Sequence, residues 1–143
     1  MTDQRTNLRH GDVTFAIIRA FYDVYNELGF GFLESVYREA LALLLCAQGH
    51  RVEQERSVEV KFREATAGTY RADLVVNDKV IVELKCARAI DSAHEAQLLN
   101  YLKATGFEVG LLLNFGHKPQ FKRMIFDAVR KNPRKSVIDT ATR

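Results

Sequence analysis

Asp73, Glu83 and Lys85 interrupt a stretch that is otherwise built like a β-hairpin. Leu74-Val75-Val76 and Val80-Ile81-Val82 are strand-forming runs on either side of the turn formers Asn77 and Asp78. Side chains alternate along a strand, so Glu83 and Lys85 share one face while Val80, Val82 and Leu84 share the other. If Val76 pairs with Val80 across a three-residue loop, Asp73 falls opposite Glu83, with Cβ atoms about 4.5–5.5 Å apart. A two-residue loop would set the acids on opposite faces, and the looser turn or a bulge is the expectation. Carboxylates that close repel unless a proton or cation lies between them. A hard divalent ion such as Mg²⁺ suits the gap, and Lys85 adds a cation beside the water or phosphate that such an ion binds. This is chemistry for hydrolysing a phosphodiester. A solvated strand face on which Glu and Lys alternate by chance gives the same short pattern, and the three residues taken alone favour that plainer reading.

The elements that must position these residues follow from periodicity. From Asp12, read as an N-cap, apolar residues at Val13, Ala16, Ile17, Ala20, Phe21, Val24 and Leu28 predict an amphipathic helix that ends before Gly29 and Gly31. A second helix is expected from about Phe32 to Gln48, with Leu33, Val36, Tyr37, Ala40, Leu41, Leu44 and Leu45 as its stripe. Glu34 falls on the edge of that stripe in the first turn, where it either compensates the helix dipole or reaches an ion held by the sheet. Residues 51–62 alternate charge with Val58, Val60 and Phe62, so at least the second half is a strand with one wet face; 63–68 read as a turn, and the hairpin follows. Ser92 to Glu95 matches a capping box that opens a third helix, which carries Gln97 and Tyr101 as i, i+4 neighbours. On that helix Gln97 is either a surface residue or a group that orients water or phosphate. Val109 to Leu113 is a continuous apolar run of strand length, expected at the centre of a sheet, and residues 121–126 suggest a last strand. A helix between the hairpin and the next strand implies a crossover. The fold class is therefore α/β or α+β, a mixed central sheet between helices in three layers.

Composition limits the alternatives. The 143 residues suffice for one domain with a sizeable core, and 47% hydrophobic with 27% charged content is that of an ordinary globular protein. No apolar run approaches the roughly 20 residues of a membrane span, and the first residues lack an apolar signal core, so a cytoplasmic protein is expected. The domain is read as residues 12–130, with a frayed N-terminus over 1–11 and a basic, poorly ordered tail over 131–143. Net charge is +3, but residues 117–143 carry +6 against −3 for the rest, so the C-terminal quarter is either a source of phosphate contacts or a solubilising tail. Cys46 and Cys86 lack metal-site spacing and read as reduced thiols, with Cys86 turned to the core. His10, His50, His94 and His117 show no ligand spacing, and no glycine-rich phosphate loop or nucleophile–base pair is evident.

Several spaced blocks resemble a known family. Gly31-Phe-Leu-Glu34-Ser-Val-Tyr37 matches the pattern of the GxxExxY protein family, and Arg71-Ala-Asp73, Val82-Glu83-Leu-Lys85, Gln97 to Lys103 and Gly110 to Gly116 look like its other blocks in the same order. That family is placed in the PD-(D/E)XK nuclease-like superfamily, with a restriction-endonuclease-like fold. The resemblance implies Asp73 and Glu83 as ligands of Mg²⁺ or Mn²⁺ and Lys85 as the catalytic lysine. It further implies Glu34 as an additional acidic ligand or its support, and Gln97 as a polar residue of the site. Tyr37 either hydrogen-bonds a carboxylate or packs in the core, and the core is the expectation. Ala72 replaces the superfamily's proline, a position that is no ligand. The implied activity is metal-dependent cleavage of nucleic acid, DNA in preference to RNA, and a chain of this size, if it cuts both strands, is expected to work as a two-fold homodimer. The rival expectation is a non-catalytic nucleic-acid-binding or protein-interaction module on the same fold.

Overall fold

A computed structural model describes residues 9–127 and 137–139. Two helices, α1 (Gly11–Leu28) and α2 (Glu34–Ala47), precede strands β1 (Val52–Phe62), β2 (Ala65–Val76) and β3 (Val80–Lys85). Helix α3 (Ser92–Thr105) then leads to β4 (Val109–Phe115) and β5 (Pro119–Ile125), and β6 (Val137–Asp139) closes the order. The six strands lie in sequence order, all neighbours antiparallel except β3 and β4, which are parallel. The helix expected as a crossover is α3. Of the frayed segment expected over 1–11, residues 1–8 lie outside the described residues and Gly11 already opens α1, while of the tail expected over 131–143 only β6 is described.

Two apolar clusters show why the sheet takes helices on both faces. Ile17, Phe21, Tyr37 and Leu41 of α1 and α2 pack on Leu74, Val82, Leu84 and Leu111, while Leu98 and Leu102 of α3 pack on Val75, Ile81 and Leu112. Every residue of β4 is buried, as its unbroken apolar run requires in a strand covered on both sides. Leu98 of α3 packs close over Gly110, where a Cβ would stand 3.0 Å from Leu98 Cδ2.

The hairpin takes the looser of the two turns. Leu74 pairs with Val82, Val75 with Ile81 and Val76 with Val80, and Asn77 and Asp78 both adopt positive φ. Asparagine and aspartate tolerate that left-handed conformation better than most residues. Asn77 also reaches out of the turn, its Oδ1 accepting from Arg51 N at 2.9 Å.

Three expectations need correction. Residues 63–68 are not one turn: β1 and β2 continue to Phe62 and Ala65 around Arg63 and Glu64, with Arg63 at positive φ. Helix α1 begins at Gly11 with His10 as N-cap, so Asp12 lies inside the first turn. The capping box of α3 sits one residue earlier, Asp91 accepting from Ala93 N and His94 N while His94 Nδ1 accepts from Asp91 N. Glu95, freed from capping, pairs with Lys122 of β5 at 2.8 Å.

Candidate active site

Continuing the β2–β3 register by one step sets Asp73 opposite Glu83, and the side chains confirm it. Leu84 N donates to Asp73 Oδ2 at 2.8 Å, and Asp73 N lies 3.4 Å from Glu83 Oε2. The carboxylates thus take backbone hydrogen bonds at the end of the ladder between these strands. Alternation along β2 fails here: Tyr70, Ala72 and Val75 all pack in the α3 cluster, while Leu74 and Val76 pack in the other. The break coincides with positive φ at Glu55 on the facing strand. Asp73 stands where β2 changes faces.

Glu83 is held by a residue that sequence reasoning missed. The Tyr70 hydroxyl donates to Glu83 Oε2, and the Tyr70 ring stacks on Tyr101 of α3 with centroids 3.7 Å apart. Burial, then the charge of Glu83, pushes the Tyr70 phenol far above its ordinary range, so it stays a donor. Periodicity marks Tyr70 and Tyr101 only as half-buried aromatics on separate elements, so their pairing had no local signal.

Electrostatics mark the pair of acids. Burial, reinforced by the charge of Asp73, pushes Glu83 up to about 7, against the hydrogen bonds from Tyr70 and Asp73 N. Burial likewise raises Asp73, opposed by the Leu84 N–H, Arg38 and Lys85. Each carboxyl is therefore reluctant to ionise without a cation. Glu34, the first residue of α2, is raised by burial of its carboxyl and then by Asp73, with Lys85 and Arg38 pulling the other way. Its side chain is exposed overall but within electrostatic reach of the site. Arg38, one turn along α2, is a second residue the sequence reading missed.

Lys85 shares the face of Glu83, as alternation required. Glu83, Lys85, Gln97, His94, Tyr70 and Tyr101 line one small cavity between β3 and α3. The structure thus brings Gln97 to Glu83 and Lys85, together with His94, which is half-buried and doubles as the capping partner of Asp91. Cys86 is not core: it lies beyond the end of β3, where alternation no longer applies, and it is exposed. Tyr37 is core in its ring, which stacks on Phe115 at 4.2 Å, while its hydroxyl donates to Gly29 O and accepts from Phe32 N. It latches the loop before Glu34 and touches no carboxylate.

Among the described residues, no three His, Cys, Asp or Glu side chains converge on one point. Asp73 and Glu83 are a two-carboxylate set, and the other ligands of a hard ion would be water and substrate oxygens, which is usual for Mg²⁺. The donors fit such an ion by type, burial and mutual repulsion.

The sequence profile of the PD-(D/E)XK nuclease superfamily matches residues 11–124, so the chain belongs to that superfamily. The match spans both helices, the hairpin with its acids, α3 and the sheet through β5. Among solved structures, the chain is similar to one titled "Crystal structure of SSO0001", at 19% identity and a TM-score of 0.48. The likeness covers 66% of this chain and 52% of that one, so the chain spans about half that protein's length. No curated protein matches.

Proposed function

We propose that this chain is a divalent-metal-dependent nuclease of the GxxExxY group that hydrolyses phosphodiester bonds, in DNA rather than RNA. The observation that carries the reading is the half-buried Asp73–Glu83 pair, both carboxyls raised, with Lys85 on the face of Glu83. Asp73 and Glu83 would hold Mg²⁺ or Mn²⁺, with Glu34 as a further acid at the rim. When bound, such an ion polarises a phosphate and lowers the pKa of a water. Tyr70 fixes the Glu83 carboxylate, and the Leu84 N–H fixes that of Asp73, so both acids are oriented in advance. Lys85 offers positive charge to the phosphate oxygens, where charge accumulates during hydrolysis. Gln97 supplies an amide that orients a water or phosphate from α3. A two-fold dimer in the cytoplasm completes the proposal.

A plasmid-nicking assay with Mg²⁺ or Mn²⁺ tests it. Asp73→Asn, Glu83→Gln and Lys85→Ala, each folded, are expected to lose cleavage by about 10²-fold or more. Cleavage at the wild-type rate by any of the three would refute the site. Salt-sensitive nucleic-acid binding without metal-stimulated cleavage by the wild type would instead identify a binding module.

A further inference from the structure

Beside the acids lies a groove that cleavage itself does not require. The loop before α2 exposes Phe30 and Phe32, at 54% and 47% of their surface. Both face a groove of about 550 Å³ whose other wall includes Cys86, Arg88, Phe115 and His117. That volume lies within the roughly 300–1,000 Å³ of small-molecule sites. Large exposed aromatics grouped on one surface mark a binding face more often than chance exposure.

The groove is constructed rather than incidental. Buried Asn114 clamps the segment after Lys85, its Oδ1 accepting from Ala87 N at 2.8 Å and its Nδ2 donating to Ala87 O at 3.0 Å. A Cβ at Gly116 would stand 2.3 Å from Ala87 O, so only glycine allows the floor to close. The Tyr25 hydroxyl reaches Gly116 O and His117 O, each at 2.7 Å. The imidazole of His117 backs the Phe30 ring, with centroids 4.2 Å apart. The two rings are tilted by 39°, and Phe30 stays largely exposed beside the imidazole. Cys86 Sγ lies 3.9 Å from Phe32 O, which ties the aromatic loop to the residue following Lys85.

We propose that this groove holds an unstacked nucleotide of the substrate, so that the nuclease acts on single-stranded or frayed nucleic acid. The inference rests on the nuclease reading above. None of the groove's lining residues is acidic, and Arg88 matches a phosphate. Open phenyl faces beside a cation are the features that bind bases irrespective of sequence. A base stacked on Phe30 or Phe32 has left its duplex, and the chain linking it to the next phosphate passes the end of β3, where Lys85 stands.

Fluorescence anisotropy in EDTA, with a labelled oligothymidylate of about a dozen nucleotides and a blunt duplex as competitor, tests the subsite without cleavage. The single strand should bind more tightly than the duplex. Phe30→Ala and Phe32→Ala, at half-exposed positions that the fold tolerates, should each weaken it about 5- to 150-fold. Arg88→Ala should weaken it and flatten its salt dependence by about one ion. Asp73→Asn should bind at least as tightly as wild type. Aromatic variants within about twofold of wild type, or a preference for duplex, would overturn the subsite. Normal cleavage by Phe30→Ala and Phe32→Ala with unchanged binding would end the subsite and keep the nuclease. Aromatic-dependent binding by a wild type that never cleaves would keep the subsite and end the nuclease reading.

Discussion

Replacing Glu83 by glutamine should stabilise the metal-free protein at alkaline pH while abolishing its activity. Glu83 has an ordinary pKa of 4.5 and is pushed up to about 7 in the fold, chiefly by burial and by Asp73. Between those values the native state keeps a proton that the unfolded chain has released, so stability falls as pH rises through this window. Below about pH 4.5 the residue is neutral in both states and resembles glutamine. Above pH 7 the native state bears the full penalty of a buried carboxylate beside Asp73. At about 1.36 kcal/mol per pKa unit the displacement amounts to roughly 3 kcal/mol, and about 1–3 kcal/mol after discounting for water at a half-buried group. Glutamine keeps the acceptor used by Tyr70 and Asp73 N, so the hydrogen bonds survive the change. Urea unfolding of wild type and Glu83→Gln in EDTA, at pH 5 and pH 8, measures the difference directly. The two should be close at pH 5, with the variant more stable by about 1–3 kcal/mol at pH 8. A gap independent of pH, or a less stable variant at pH 8, would refute the electrostatic reasoning.

Three further predictions follow from the same geometry. Tyr70→Phe removes the hydrogen bond that favours ionised Glu83, so the pH midpoint of Mn²⁺ binding should rise by about one unit, which binding titrations across pH would reveal. Asn114→Ala leaves both polar groups of Ala87 without their clamp and should lower stability by about 2–4 kcal/mol in urea unfolding. Gly116→Ala drives a methyl into the Ala87 carbonyl and should destabilise by about 1–3 kcal/mol; a neutral outcome would show that the segment after Lys85 is free to shift.

What the sequence disclosed divides along physical lines. The pairing of Val76 with Val80 was legible because β-branched runs flank residues that tolerate positive φ, and it fixed the relation of Asp73 to Glu83. The mixed sheet was legible because a helix between the hairpin and the apolar run of β4 implies a crossover, which leaves β4 parallel to β3. The α3 cap was misplaced because Asp91 and Ser92 are both good caps, and local pattern does not reveal that Lys122 recruits Glu95. The long β1–β2 ribbon was hidden because Arg63 and Glu64 lack turn chemistry, while Gly68 further on reads as a break. Tyr101 meets Tyr70, and Arg38 comes within reach of Asp73, only through packing between elements distant in the chain. Cys86 was misread because strand alternation was carried one residue past the end of β3.

The most direct test of the central claim is calorimetric titration of the wild type, Asp73→Asn and Glu83→Gln with Mn²⁺ at pH 8, repeated at pH 6. If the two acids form one metal site, wild type binds Mn²⁺ in a reaction that weakens on acidification as Glu83 takes up its proton, and each substitution abolishes binding. Mn²⁺ binding that survives both substitutions, or a folded wild type that binds no divalent ion even with DNA present, would contradict it.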